Sequence, residues 1–149
     1  MAYEFKRRHR VEFADTDMAG IVHFSNFFRY MEATEHAFFR SLGFSIHTHI
    51  DGTRVGWPRV RAECEYKSPL RFEDEFEIHL RVLEKRTRSL TYEFVFRNLD
   101  DTVIATGRIT AVCVMTDEVT GKMKAVPIPD VIAQKIEAAP SSEAAAVSP

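Results

Sequence analysis

The densest run of groups able to do chemistry is DTDMAGIVHFSNF, from Asp15 to Phe27. Two carboxylates, Asp15 and Asp17, follow a loosely alternating stretch from Tyr3 to Phe13 that reads as a strand. Gly20 permits an unusual backbone turn, and a helical spacing of apolar residues begins soon after His23. A carboxylate is thereby set beside the first turn of a long helix. Free N–H groups there hold a carbonyl oxygen or an oxyanion, while the carboxylate attacks or takes a proton. That pair is enough for hydrolysis by acyl transfer. The plainer reading is that Asp15 or Asp17 merely caps the turn or the helix. Spacing alone leaves both readings standing.

Other groups are weaker signals. His23 is close enough in sequence to Asp17 to bond with it, but a pocket wall is the expected role. Glu35 falls inside the apolar stripe of the helix, where a carboxylate needs partners. It is either a pocket group or the mark of the stripe's end, and the second is expected. Lys85-Arg86-Thr87-Arg88-Ser89 is the one tight basic run beyond the N-terminus. Arginines there suit phosphate recognition, and a solvated turn explains them as well. His47, His49 and Asp51 are too few donors for a metal site, so none is expected. Neither Ser25 nor Ser89 has a His and Asp near it in sequence to make it a nucleophile.

The elements that must position these residues follow from the period of the apolar pattern. No Gly or Pro interrupts Phe24 to Leu42, and Phe24, Phe27, Phe28, Met31, Phe38 and Leu42 recur at helical spacing. Ser25 or Asn26 is placed to cap this helix and Gly43 to end it. A linking stretch, Ser45 to Trp57, follows. From Val60 to Lys67 apolar and charged residues then alternate strictly, which predicts a strand with one face on the core. The pattern recurs at Phe76–Val82 and at Leu90–Phe96, and a longer strand is expected from Val103 to about Met115 with Gly107 as a bulge. A short helix is expected from Pro129 to Glu137. The fold class is therefore α+β, one curved antiparallel sheet wrapped around a long helix, with residues 1–139 as a single domain. Residues 140–149 are mostly Ser, Ala, Glu and Pro and read as a disordered tail.

Composition narrows the partners. The formal charge is −2, which argues against nucleic acid or an anionic membrane. No apolar run approaches the ~20 residues of a membrane span, and no apolar stretch follows the basic N-terminus as a signal peptide requires. The two cysteines, Cys64 and Cys113, read as buried reduced thiols of a cytoplasmic protein. Of 12 phenylalanines, those at 5, 13, 24, 27, 28, 38, 39 and 44 crowd one end of the chain, so that end is deeply buried or builds an apolar pocket.

Residues 11–43, VEFADTDMAGIVHFSNFFRYMEATEHAFFRSLG, resemble the 4-hydroxybenzoyl-CoA thioesterase family of hotdog-fold proteins, which includes the acyl-CoA thioesterases found beside the Tol-Pal system. Asp-Thr-Asp-x-x-Gly-x-Val leading into an aromatic helix carries the resemblance, and the strand order extends it to about Pro129. It implies hydrolysis of an aromatic or short-chain acyl-CoA without a cofactor, with the helix aromatics lining the acyl pocket. It implies a homodimer with a continuous sheet, commonly paired again into a homotetramer, with active sites at the dimer interface. Asp17 falls on the family's catalytic carboxylate, as nucleophile or general base, and the backbone N–H of Phe24 on its oxyanion donor. Glu32 matches an acidic position of the family's helix, and also stands i,i+4 from His36. The phosphates of CoA fall near Lys85, Arg86, Arg88 and Ser89. His23 stands where many relatives carry Tyr, Trp or Asn, so its candidacy rests on its nearness to Asp17. Two rivals share the fold: an acyl-thioester hydratase or dehydratase using His23 with Glu32 or Glu35, and a non-catalytic acyl-CoA-binding module. The acyl group, and the choice of CoA or acyl carrier protein as its carrier, stay open.

Overall fold

The computed structural model describes residues 1–141, so the tail expected at 140–149 lies outside the described residues from 142 on. Strand β1 (Glu4–Arg10) opens the chain, and a 3-10 turn, Phe13–Asp15, leads to helix α1 (Asn26–Ser41). Two short strands follow, β2 (Thr48–Ile50) and β3 (Thr53–Gly56). Four longer ones come next: β4 (Arg59–Tyr66), β5 (Glu75–Lys85), β6 (Ser89–Asn98) and β7 (Val103–Val112). The chain finishes with β8 (Val114–Thr116), β9 (Met123–Ala125) and α2 (Asp130–Ala133).

The main sheet is antiparallel in the order β1-β5-β6-β7-β4. The segment from Lys67 to Asp74 therefore carries the chain from one half of the sheet to the other, because β4 pairs with β7 and not with β5. A second sheet, β2-β3-β8-β9, splits off at Cys113. The Cys113 N–H donates to the Arg88 carbonyl at 2.7 Å and its carbonyl accepts from Val126 at 3.0 Å, which bends the expected Val103–Met115 strand in two. The expected linker, Ser45 to Trp57, supplies two strands of that second sheet. The expected helix at 129–137 shrinks to one turn at Asp130–Ala133, and Ile136 bridges to Ala2 instead.

Helix α1 lies across the concave face. Phe27, Tyr30, Met31, Phe38 and Phe39 are buried on it, over a sheet layer that includes Phe76, Ile78, Leu80, Tyr92, Phe94 and Phe96. The buried stripe runs through Thr34 and Glu35, while Phe24 is exposed and Phe28 and Leu42 only half-buried. Helix and sheet come into close contact at Gly107. A Cβ there would overlap the tip of Met31, whose side chain is fully buried. Gly107 is thus no bulge: it keeps register with Cys64 and with Phe94, and the register shifts fall at Arg59/Arg61, Val82/Glu84 and Phe96/Arg97.

Strand β4 also departs from expectation. Its apolar positions are largely open, Val60 at 65% and Tyr66 at 46% exposure, and Cys64 is only half-buried. The reason is position: β4 is an edge strand, and α1 meets it at Tyr66 through Phe27 and at Arg59 through Glu35 without covering the strand. Adding a methyl at Gly107 should lower stability by about 1–3 kcal/mol, since a fully packed Met31 must move. A urea midpoint for Gly107→Ala equal to wild type would show that the helix does not press there.

Candidate active site

The turn that follows β1 is closed by its own backbone. Thr16 bridges to Val22, the Asp17 N–H donates to the Ile21 carbonyl, and the Gly20 N–H donates back to the Asp17 carbonyl, the last two at 2.9 Å. Gly20 sits at φ 81°, a conformation that glycine takes without strain. The two aspartates of this turn are used differently. The Asp15 carboxylate accepts from the Glu12 N–H at 3.0 Å and from the Tyr30 hydroxyl at 2.9 Å, while its carbonyl accepts from the Asn26 side chain at 2.8 Å and the His23 N–H at 2.9 Å. The Asp17 carboxylate accepts from the Ala19 N–H at 2.9 Å, and its side chain is half-buried at the wall of a cavity.

The start of α1 closes that cavity from the other side. Ser25 stands at the cap position with a helical backbone, and its hydroxyl bonds to His23 Nδ1 at 2.7 Å instead of capping the helix. Among the described residues no acceptor takes the Phe24 N–H. The carbonyl of Phe24 is held by the Tyr66 hydroxyl, reaching from β4 at 2.9 Å. Burial, with the Cys64 thiol beside it, pushes the Tyr66 pKa up to about 12, so this hydroxyl stays a donor at neutral pH. The cavity holds about 520 Å³ and is lined by Asp17, Val22, Phe24, Phe27, Tyr66 and Leu70 among others. Asp17, Phe24 at the helix start and an apolar wall thus line one open pocket.

The remaining candidates lie elsewhere. The His23 ring is taken by Ser25 and makes no bond to Asp17 among the described residues. Glu32 lines a second cavity of about 470 Å³, between α1 and the smaller sheet, together with His36, Trp57 and Arg59. Its carboxylate is 3.5 Å from Arg59 Nη2, so Arg59 takes the place of the expected partner His36. Glu35 does not end the apolar stripe. Its side chain is 1% exposed and takes a two-pronged bond from Arg59, at 2.5 and 3.0 Å. That pairing satisfies the buried carboxylate, and the guanidinium beside it is held protonated.

In the basic hairpin, Lys85 donates to the carbonyls of Ala133 and Ile136 at 2.6 and 2.8 Å, fixing the chain after α2. Arg86 pairs with Glu84 at 2.8 Å on the surface, Arg88 is exposed, and Ser89 begins β6. The hairpin flanks the Arg59 end of β4, since Leu90 and Arg59 both face Ala111. Tyr66, and with it the Asp17 cavity, lies at the other end. The eight residues of β4 separate the two by about 25 Å.

Sequence reasoning missed Arg59 and Tyr66 as site builders. Strict alternation would put Arg59 on the outer face with Arg61 and Glu63. Val60 is an extra residue in the ladder, Arg59 facing Ala111 and Arg61 facing Thr110, so the phase shifts and Arg59 turns toward the helix. A bulge of this kind leaves no mark in an alternating pattern. Tyr66 could have been noticed as the one aromatic at the strand's end.

Known proteins resemble this chain along most of its length. The profile of the thioesterase-like superfamily matches residues 11–136. The acyl-CoA thioester hydrolase YbgC of Escherichia coli O6:H1 is 27% identical over 118 residues, spanning 79% of this chain and 86% of its own. A solved gentisyl-coenzyme A thioesterase is 33% identical, with a TM-score of 0.75 over 87% of this chain and 99% of its own. A 4-hydroxybenzoyl-CoA thioesterase mutant, solved with 4-hydroxybenzoyl-CoA, is 21% identical with a TM-score of 0.77 over 90% and 99%, which shows a shared fold.

The Glu35–Arg59 pair has a direct test. Arg59→Met should cost about 3 kcal/mol, because it leaves a buried carboxylate without its counter-ion. Adding Glu35→Gln should recover a large part of that loss in urea titrations. If Arg59→Met unfolds at the wild-type midpoint, the pair carries no stability.

Proposed function

Since this chain belongs to the thioesterase-like superfamily and is a thioester hydrolase, we propose that it releases CoA from an aromatic or short-chain acyl-CoA, with Asp17 as the working carboxylate and the Phe24 N–H as oxyanion donor. One observation carries this reading: Asp17 and the start of α1 meet in a single apolar cavity, and the Phe24 N–H has no acceptor within the described residues. A thioester lying there would point its carbonyl oxygen at that N–H and its carbon at Asp17. The negative charge that develops on the oxygen is then met by a donor fixed in advance.

Two routes are open to the carboxylate. It attacks the carbonyl carbon itself, the C–S bond breaks, CoA leaves as thiolate and takes up a proton, and water then cleaves the mixed anhydride. Alternatively it takes a proton from a water that attacks the same carbon, and the thiolate leaves from the tetrahedral intermediate. Either route yields free acid and CoA.

The carrier's phosphates are assigned to Arg86 and Arg88. Lys85 and Ser89 flank them, and Lys85 already gives two of its three protons to the carbonyls of Ala133 and Ile136. The hairpin and the Asp17 cavity sit at opposite ends of β4, so one chain is ill placed to hold both ends of the substrate. Two β4 edges paired antiparallel about a two-fold axis bring the hairpin end of one copy to the cavity end of the other. The open apolar residues of β4 favour such a pairing, since a long bare edge is a liability in a free monomer. The functional unit is therefore a homodimer, with the homotetramer as its next assembly.

Sedimentation equilibrium at micromolar protein should give two or four times 17.1 kDa, whereas an active monomer would refute a site shared between copies. Thiol release over a panel of aryl- and short-chain acyl-CoAs tests the reaction. Asp17→Asn should lower kcat by about 10²–10⁴ with KM little changed. An Asp17→Asn enzyme near the wild-type kcat would remove Asp17 from the chemistry.

A further inference from the structure

Asp15 is the most heavily bonded residue of the turn, and two of its partners stand one helical turn apart on α1. Asn26 donates its side-chain amide to the Asp15 carbonyl at 2.8 Å, and Tyr30 donates its hydroxyl to the Asp15 carboxylate at 2.9 Å. The i,i+4 spacing puts both on one face of the helix, where they grip the backbone and side chain of one residue together. Tyr30 is 5% exposed. Its ring packs on His9 and Phe76, with centroids 4.9 and 5.2 Å away, which holds the hydroxyl in place. Burial and the Asp15 carboxylate raise the Tyr30 pKa well above its ordinary value, so the hydroxyl keeps its proton. His9 Nε2 stands 3.7 Å from the same carboxylate.

We propose that Asn26 and Tyr30 are positioning residues of the hydrolase site, acting through Asp15; this inference rests on Asp17 and the Phe24 N–H being the working groups. The connection is short. Asp15 is two residues from Asp17, and its carbonyl also takes the N–H of His23, the residue before Phe24. One clamp on α1 therefore sets the loop that carries Asp17 relative to the helix start that carries the Phe24 N–H. Without it the loop stays closed by its own backbone bonds, and it is free to shift as a unit against α1. A shift of the order of 1 Å at a reacting pair costs up to about 10²-fold in rate.

The test uses the full chain and an acyl-CoA that the wild type turns over. Tyr30→Phe and Asn26→Ala are each predicted to lower kcat about tenfold with KM within about twofold, since substrate binding rests on other groups. Asn26 is half-buried at the first position of the helix, so Asn26→Ala keeps the test available if Tyr30→Phe folds poorly. The decisive arm repeats both changes in the Asp17→Asn background. If the clamp acts by aiming Asp17, they change the residual rate less than about twofold there, because the aimed group is gone. A full tenfold fall in both backgrounds would mean a general structural effect and would overturn the proposal. Wild-type kcat in both single variants, beside a slow Asp17→Asn enzyme, would overturn it while leaving the reading of Asp17 intact. A near-normal Asp17→Asn enzyme would instead overturn the reading on which it rests.

Discussion

Contact between Met31 and the bare backbone of Gly107 sets how deep helix α1 sits in the sheet, and the positions of the other functional parts depend on that depth. A 16-residue helix of this composition is marginal by itself and takes its stability from the face it buries. With Met31 seated, the N-terminal turn of α1 meets the Asp15–Asp17 loop. The middle of the helix brings Thr34 to Arg7, at 3.2 Å, and Glu35 to Arg59. A side chain at residue 107 would lift the helix, and these contacts would have to adjust together.

Three carboxylates near or on this helix show how environment divides their roles. Glu35 is dry and bound by a guanidinium on both oxygens, an arrangement that satisfies it and leaves it chemically idle. Asp15 takes two donors on its carboxylate and is spent on holding the turn. Asp17 takes a single backbone donor from its own loop and borders an open cavity. The least satisfied of the three is the one that borders the cavity. Environment, and not residue type, sets how many hydrogen bonds each carboxylate is left to accept.

The central helix, the longer strands and the turn that leads from Asp15 into that helix were legible in the sequence, because each rests on a local pattern. The buried role of Glu35 was not. A helical wheel marks it as misplaced, and only the tertiary fold supplies Arg59, turned inward by an extra residue in β4 that alternation conceals. The split of the sheet at Cys113 was hidden for a similar reason, since the apolar pattern continues through the bend. The alternation of β4 predicted a strand correctly and its burial wrongly. A period of two says that one face is apolar, and it does not say what covers that face.

A crystal structure of the Asp17→Asn protein with a non-hydrolysable aryl-CoA analogue would test the central claim, that thioester chemistry happens between Asp17 and the start of α1. The account predicts the analogue's carbonyl oxygen within about 3 Å of the Phe24 nitrogen, and its carbonyl carbon facing residue 17. An analogue seated in the cavity beside Glu32 and Arg59, with its carbonyl turned away from Phe24, would contradict it.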